Sequence, residues 1–407
     1  MTIIEFYDKN AIENIAGAMM CRPENVALLG DDEAKILKSC DIYKRVLGSN
    51  GINLKFYYQI IDKNDLSCIV NALDRIVSRF DDCVFDLTGG DELYLVAVGI
   101  IMERYKGKIK CHRFNFAKNS IIDCDADGKI AEVESYNISV EDNIAIYGGD
   151  LVTDTNEEKY TYDWAFDREF EDDVENMWSI CSGKPSSWNF QINVIKRICQ
   201  AYGSEDSLDI SFDPDRVVEE LGCGNERYEV RPWLLSNLER IGVIHSLYIG
   251  DYVSFSFKNE QIKKCLTTSG QILELYIAVK LRQLGDLYHD VRVGAVINWD
   301  GDGDDECNLV INEIDVFAMR GAIPIFISCK NGLVEMEELY KLNSVAMRFG
   351  GKYAKKVLVT SDIHNSNKGN AEYLLERMEE MGIISIDNIV DISDHDLKKT
   401  LSTLWKQ

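Results

Sequence analysis

The sequence predicts an α/β protein of several domains, and three patterns carry this prediction. Strand-like and helix-like runs alternate through the N-terminal third of the chain, three helical segments and a hairpin follow near the middle, and a second mixed pattern fills the remainder. A length of 407 residues suits two or three domains. We place the predicted boundaries at 1–153, 154–268 and 269–407.

In the first domain, the strand-like runs IIEFY, NVALLG, INLKFYYQII, CVFDLTGG and KIKCHRFNF are separated by amphipathic helical runs. Strands that alternate with helices at this spacing predict a mostly parallel, Rossmann-like sheet covered by helices. Asp65 stands where it can cap the helix that begins at Leu66.

The middle of the chain begins with an acidic and aromatic stretch at 154–185, which we interpret as a connecting element. The helical runs NFQINVIKRICQAYG, DPDRVVEELG and RPWLLSNLERIG come next, and the hairpin VIHSLYIGDYVSFSF follows them. Three helices and a small hairpin predict a winged-helix-like domain. Such a domain either reads DNA or serves as a structural spacer, and the sequence leaves both open.

Composition limits the classes of function. The net charge of −25 argues against tight nonspecific binding of nucleic acid, although Leu339 to Ser361 contains five basic residues and no acidic one. Twelve cysteines without a CxxC pair argue against a zinc site and favour a reducing compartment. No apolar run approaches the roughly 18 residues that span a bilayer. We therefore expect a cytoplasmic protein with no membrane contact.

The last domain shows the order α-β-β-β-α-β. Glu313, Asp315 and Phe317 alternate along one predicted strand, so we expect them on one face. A tight connection at Arg320-Gly321 leads into the next strand, AIPIFISCK. The hairpin would bring the polar faces of both strands into one cleft.

Phosphodiester hydrolysis needs a divalent cation held by hard oxygen ligands, and a lysine that stabilises developing charge. Asp315 and Lys330 can point into the same cleft, and Glu274 can approach from the preceding helix. The backbone carbonyl of Cys329 is a further possible metal ligand, and Ser328 another. Charged residues inside apolar strands are costly to bury without partners, which favours a site over idle strand positions.

The pattern Glu274, NEIDVF, FISCKNG and KLNSVAMRFGG resembles the PD-(D/E)xK nuclease core, as carried by CRISPR ancillary nucleases fused to a CARF sensor domain. The resemblance covers about 130 residues and implies a restriction-endonuclease-like domain. It implies that Asp315 and Glu274 bind Mn²⁺ or Mg²⁺ and that Lys330 is catalytic. Ser328 departs from the pattern, since the family has Glu or Asp there, and Glu313 is the residue that can compensate.

The phrase DLTGGDELY ends the fourth strand and opens a helix, so Gly89 and Gly90 let a ligand approach the backbone. Asp91 and Glu92 would repel a phosphate and suit contacts to ribose hydroxyls or base edges. NAD is the competing ligand, but no GxGxxG follows the first strand.

In a Rossmann-like domain upstream of this nuclease pattern, the glycine turn resembles the CARF signature. The resemblance implies that cyclic oligoadenylate, most often cyclic tetra-adenylate, binds across the two-fold axis of a homodimer. The implied pocket residues are Asp8, Asn10, Asn14, Thr88, Gly89, Gly90 and Asp91.

The resemblance as a whole implies an allosteric endonuclease of type III CRISPR antiviral defence, which cuts DNA, RNA or both with little sequence preference. The alternative is a catalytically inactive sensor, in which Ser328 marks a decayed site and the winged-helix-like domain binds DNA or a partner.

Overall fold

The computed structural model describes residues 1–124, 136–204, 207–221, 230–300, 311–366 and 369–406. It contains three sheets, of six, three and six strands. We refer to the parts built on them as the N-terminal, middle and C-terminal units. The mixed α/β fold predicted from the sequence is confirmed.

The N-terminal sheet has the strand order β3-β2-β1-β4-β5-β6, with the first five strands parallel and the last antiparallel. The strands are β1 (Thr2–Phe6), β2 (Asn25–Gly30), β3 (Lys55–Ile60), β4 (Cys83–Asp86), β5 (Lys110–Asn115) and β6 (Ser120–Asp123). The helices are α1 (Ala16–Cys21), α2 (Glu33–Ser49), α3 (Leu66–Arg79), α4 (Glu92–Arg104) and α5 (Val140–Ile146). The predicted cap is present, because the Asp65 carboxylate accepts hydrogen bonds from the backbone N–H groups of Ser67 and Cys68.

A two-residue strand, β7 (Asp150–Leu151), leads out of the N-terminal unit. The middle unit has the helices α6 (Arg168–Cys181), α7 (Pro185–Tyr202), α8 (Pro214–Leu221), α9 (Pro232–Arg240) and α10 (Glu260–Thr267). Its strands β8 (Asp209–Phe212), β9 (Ile244–Ile249) and β10 (Val253–Phe257) form an antiparallel sheet in the order β8-β10-β9. The predicted three helices and hairpin are therefore present, and β8 adds a third strand.

The acidic stretch predicted as a connector instead contains the four-turn helix α6. Its apolar side chains recur at three-to-four spacing, and the buried ones include Phe170, Val174, Met177 and Trp178. The Trp178 ring stacks on Tyr276 at 4.8 Å between centroids. The abundance of carboxylates on the solvent face masked this apolar stripe in the sequence.

The C-terminal sheet has the order β15-β14-β13-β12-β11-β7. It consists of β11 (Asp290–Asn298), β12 (Ile311–Arg320), β13 (Ile323–Lys330), β14 (Lys355–Thr360) and β15 (Ile383–Ile386), with β7 as an antiparallel edge. The helices are α11 (Gln271–Arg282), α12 (Met336–Gly350), α13 (Ile363–Ser366), α14 (Ala371–Glu380) and α15 (Asp394–Leu401). This arrangement matches the predicted α-β-β-β-α-β order.

The N-terminal and C-terminal units share one hydrophobic core. Ile12, Val140 and Ile144 from the first belong to the same buried cluster as Phe317 and Phe349 from the second. The side-chain amide of Asn143 in α5 donates a 2.7 Å hydrogen bond to the backbone carbonyl of Phe349. Among the described residues, none of the helices has the length and apolar character to cross a membrane.

Candidate active site and ligand pocket

The β12–β13 hairpin holds Asp315 against the neighbouring strand. The Asp315 Oδ2 atom accepts hydrogen bonds from the Ser328 hydroxyl at 3.0 Å and from the Cys329 backbone N–H at 2.7 Å. The strands pair antiparallel, with Val316 opposite Ile327. The carboxylate is therefore fixed in direction before any ligand arrives.

The regular alternation predicted for Glu313, Asp315 and Phe317 is interrupted at Asp315. Ile314 lies in the same buried cluster as Phe317, whereas strict alternation would place their side chains on opposite faces. The neighbouring strand has Gly294 at this level, with a φ of +61° that a residue with a side chain adopts at a cost. Because of this local twist, the Asp315 side chain does not share the surroundings of Phe317, whose ring packs on Phe326.

Glu274 approaches from the first turn of α11. The Gln271 side chain donates a 2.8 Å hydrogen bond to its Oε2 atom. Burial raises the pKa of Glu274 well above its ordinary value, the carboxylates of Asp315 and Glu313 raise it further, and Lys330 opposes them. Glu274 thus lies within electrostatic reach of the other three predicted residues, Glu313, Asp315 and Lys330.

Lys330 ends β13 and faces α12, where its ammonium group lies 3.1 Å from the Glu338 carboxylate. Burial alone would lower the pKa of Lys330, but Asp315, Glu338 and Glu274 outweigh burial and raise it. The lysine therefore stays charged. Glu338 was not predicted from the sequence, although its position in the first turn of the helix after FISCKNG is a signal for it.

A small pocket lies between β12, β13 and α12. Its volume is about 10 Å³, room for about one water molecule, and its lining includes Glu313, Asp315, Ser328, Glu338 and Lys341. Glu274 does not line this pocket, since α11 packs on the opposite face of the sheet from α12.

The oxygen ligands at the site are of the kind that binds a hard divalent cation, but they are few. The Asp315 carboxylate disfavours the charged form of Glu274. A cation bound between the two carboxylates would relieve this repulsion. Within the described ranges, no group of three or more His, Cys, Asp and Glu side chains is gathered for metal binding. A metal here would rely on the Ser328 hydroxyl and the Cys329 carbonyl as well.

At the carboxyl end of β1, a loop is held by its own side chains. The Asn14 amide accepts from the backbone N–H of Asp8 at 2.6 Å, and donates to the Asp8 carbonyl and to the Tyr43 hydroxyl. Asn10 donates to Asp8 and to Glu13. Asn10 and Asn14 are buried, so here they shape the loop while Asp8 remains half-buried at its surface.

The glycine turn after β4 lies beside this loop. Thr88 is anchored from below, because Asp86 accepts from its backbone N–H and hydroxyl, and the Thr88 hydroxyl accepts from the backbone N–H of Phe114. Gly90, at φ +98°, directs its N–H toward the Asp8 carboxylate at 3.5 Å. A side chain at Gly89 would lie only 3.0 Å from Asp8 Cβ.

Asp8 titrates differently from an exposed aspartate. Burial alone would raise its pKa, but hydrogen bonds from Asn10 and Gly90 outweigh burial and lower it. The predicted residues of the two loops thus come together at one edge of the sheet, and Asp91 is exposed at the start of α4.

A cavity of about 210 Å³ opens next to Asp8 and extends to the C-terminal unit. Four cationic side chains line it: Lys9, Lys35, Lys38 and Arg348. None of these four was predicted from the sequence. Three of them follow the carboxyl ends of β1 and β2, which is the signal that could have found them. Arg348 comes from α12, the helix whose first turn carries Glu338 against Lys330.

A polar clasp also joins the two units. The Glu13 carboxylate lies 2.8 Å from the Lys352 ammonium group and accepts a hydrogen bond from the Tyr353 hydroxyl. Burial raises the pKa of Glu13 in spite of these partners. The Tyr353 ring stacks on Phe116 at 3.7 Å between centroids. We call these four residues the clasp.

No protein-family model matches this sequence, and no curated protein matches it. Among solved structures, the chain is similar along its whole length to protein VC1899 from Vibrio cholerae, with a TM-score of 0.73, 18% identity and 98% of that chain covered. It is also similar to Can2 from Sulfobacillus thermosulfidooxidans, solved in complex with cyclic tetra-adenylate, with a TM-score of 0.64 and 17% identity. That alignment covers 98% of this chain and 97% of Can2. At these identities the likeness shows the fold, and it extends through all three units.

Proposed function

We propose that this protein is a metal-dependent endonuclease activated by cyclic oligoadenylate, as in type III CRISPR antiviral defence. The observation that carries the proposal is the electrostatic convergence of Glu274, Asp315 and Lys330, while α12, which carries Glu338 against Lys330, also supplies Arg348 to the cationic cavity of the N-terminal unit. A ligand in that cavity can therefore act on the helix that holds Lys330.

In the proposed reaction, Glu274, Asp315, the Ser328 hydroxyl and the Cys329 carbonyl would hold Mn²⁺ or Mg²⁺. When bound there, the metal would supply an activated water and neutralise charge on the phosphate. Asp315 arrives already oriented by Ser328 and Cys329. Lys330 provides a positive charge for the pentacovalent phosphorus, and Glu338 holds it in place until substrate enters.

The activator we propose is cyclic tetra-adenylate, and the fold shared with Can2 in its complex with that molecule supports this choice. Lys9, Lys35 and Lys38 suit its phosphates, while Asp8 and the backbone of Gly89 and Gly90 suit ribose hydroxyls and base edges. A ring with repeated units suits two equal half-sites, so the proposal includes a homodimer with the ring on its two-fold axis.

The central test mixes the purified protein with plasmid DNA and with single-stranded RNA, in manganese, with and without cyclic tetra-adenylate. We expect ligand-dependent cleavage of DNA, RNA or both. Lys330→Ala should lower the rate roughly 10²–10³-fold, the range for loss of one preorganised charge-stabilising group. Cleavage of neither substrate at high manganese contradicts the proposal and favours the inactive sensor.

The pocket is tested separately by calorimetric titration with cyclic tetra-adenylate. Gly90→Arg should abolish binding, because a side chain at Gly90 meets Phe6 and Tyr94 and would fill the turn. Lys38→Ala leaves the backbone alone and should weaken binding. Normal affinity in both variants would place the ligand elsewhere.

A further inference from the structure

A second cationic surface lies in the middle unit, between α7 and α10. It is a cleft of about 430 Å³, and its lining includes Lys196, Lys263, Lys264, Thr267 and Thr268. Among the residues that the structure describes, none that lines it is acidic, although the chain carries a net charge of −25. A patch of this sign in an acidic protein attracts an anionic partner to one place.

The three lysines differ in their surroundings. Lys263 holds the rim of the cleft, because its ammonium group donates to the backbone carbonyls of Ser204 and Ser207. Lys196 is exposed on α7. Lys264 is half-buried, and its ammonium group lies 4.6 Å from the centre of the Tyr162 ring and 5.7 Å from that of Tyr160.

The cleft leads toward the candidate active site. Helix α10 ends at Thr267, Thr268 caps it, and α11 follows with Glu274 in its first turn. A side chain at Gly270, between the two helices, would lie 3.9 Å from the Glu274 carboxylate. The end of the cleft at Thr268 is therefore two residues from a backbone position beside Glu274, so a strand bound in the cleft is directed toward the candidate site. Burial lowers the pKa of Lys264, and Cys265 and Glu313 act in the opposite direction.

We propose that this lysine cleft binds the sugar-phosphate backbone of the nucleic-acid strand that the C-terminal site cuts. The inference rests on the proposed function and names the path of its substrate. Lys196 and Lys264 contact phosphates, and the Tyr160 and Tyr162 rings offer base-stacking surfaces beside them. Contacts to backbone and to ring faces are sequence-tolerant, so this surface adds affinity without selecting a sequence.

The test measures binding of a fluorescein-labelled single strand by anisotropy across a series of salt concentrations. All variants carry Lys330→Ala, so that cleavage does not interfere. In K196A/K264M, which keeps the apolar stem at position 264, the salt slope should fall by roughly 1.4, at about 0.7 per phosphate contact on a single strand. That change corresponds to roughly 25-fold weaker binding at about 0.1 M salt.

The matched control is K44A/K106A, which removes the same charge from exposed ion pairs of the N-terminal unit. Lys264→Arg keeps the charge and should bind like the parent. Equal binding by K196A/K264M and the control would overturn the inference, as would equal competition by inorganic phosphate at matched phosphate concentration.

The two proposals can fail separately. If the unmodified protein cuts nothing with manganese and cyclic tetra-adenylate, the nuclease proposal fails. Loss of binding in K196A/K264M would even then establish the lysine cleft as a nucleic-acid surface.

Discussion

Ser328 is the residue on which the strength of the proposed metal site depends. Its hydroxyl donates to Asp315, so it would contribute a neutral ligand where a carboxylate would contribute charge. We expect Ser328→Asp to destabilise the metal-free protein, because two carboxylates would then face each other, and to enlarge the thermal stabilisation by manganese.

Thermal unfolding with and without manganese measures both effects. Ser328→Ala is the control, since it removes the hydrogen bond without adding charge. If Ser328→Asp unfolds at a lower temperature and gains nothing from manganese, the metal does not bind at this position.

A second residue-scale prediction concerns Glu5, which is buried beside Asp86 and His112. Neither Glu5 oxygen has a hydrogen-bond partner among the described residues. Burial raises the pKa of Glu5 well above its ordinary value, and Asp86 adds to this. Because the folded-state pKa is the higher one, the protein should lose stability as pH rises from about 4.3 toward that pKa.

Glu5→Gln cannot ionise, and its amide can donate to Asp86. We expect it to raise the free energy of unfolding at neutral pH by roughly 1–3 kcal/mol and to flatten the dependence on pH. Denaturant titrations over a pH series, with the exposed Glu24→Gln as control, measure this. A variant less stable than the parent at pH 7 would contradict the prediction.

The chemistry of the candidate site could be predicted residue by residue, and its supporting partners could not. Asp315, Lys330 and Glu274 stood out because charges inside apolar runs are costly. Glu338 and Arg348 lie on an otherwise ordinary helix, and the clasp residues come from separate turns and loops of two units. Only the packing of one element on another gives them a role.

Among the helices and strands, α12 contacts both the candidate active site and the N-terminal unit. Its first turn carries Glu338 against Lys330, its last turn carries Arg348 into the cationic cavity, and Lys352 and Tyr353 of the clasp follow it directly. The clasp therefore ties the end of α12 to the N-terminal unit.

We expect Glu13→Gln to release α12 and raise the cleavage rate without ligand, by an amount within the roughly 5–150-fold range usual for allosteric coupling. Cleavage assays without cyclic tetra-adenylate measure it, and Tyr353→Phe should give a smaller rise because the Lys352 ion pair remains. An unchanged ligand-free cleavage rate in both variants would show that the clasp does not restrain α12.

The strands and helices with clear periodicity followed from the sequence, while the elements defined by distant partners did not. β7 has two residues, too few for any pattern, and it is a strand only because β11 lies beside it. The apolar stripe of α6 was hidden by its carboxylates. Local propensity cannot report contacts made across more than a hundred residues.

For the whole molecule, the C-terminal sheet joins all three units. One buried cluster on this sheet includes residues of the N-terminal unit, and another includes residues of the middle unit. We therefore expect one cooperative thermal transition by calorimetry, with coincident curves from circular dichroism and tryptophan fluorescence. All six tryptophans lie after residue 163, so fluorescence reports the middle and C-terminal units.

Because of this shared core, we expect residues 1–153 to be unstable as an isolated domain. Val140, Ile144 and Phe116 would lose the apolar surfaces that bury them in the intact chain. A fragment of these residues should unfold at a clearly lower temperature than the whole protein. A fragment as stable as the whole protein would show that the shared core contributes little.

The pairing of β7 with β11 also bears on biosynthesis. Leu151 pairs with Ile297, and Asn143 bonds to a carbonyl 206 residues further along the chain. A ribosome releases the N-terminal residues first, yet α5 and β7 cannot dock until most of the polypeptide has emerged. The N-terminal unit of a newly made molecule is thus completed only together with the C-terminal unit, so under the proposed function a half-synthesised chain would not respond to an activator.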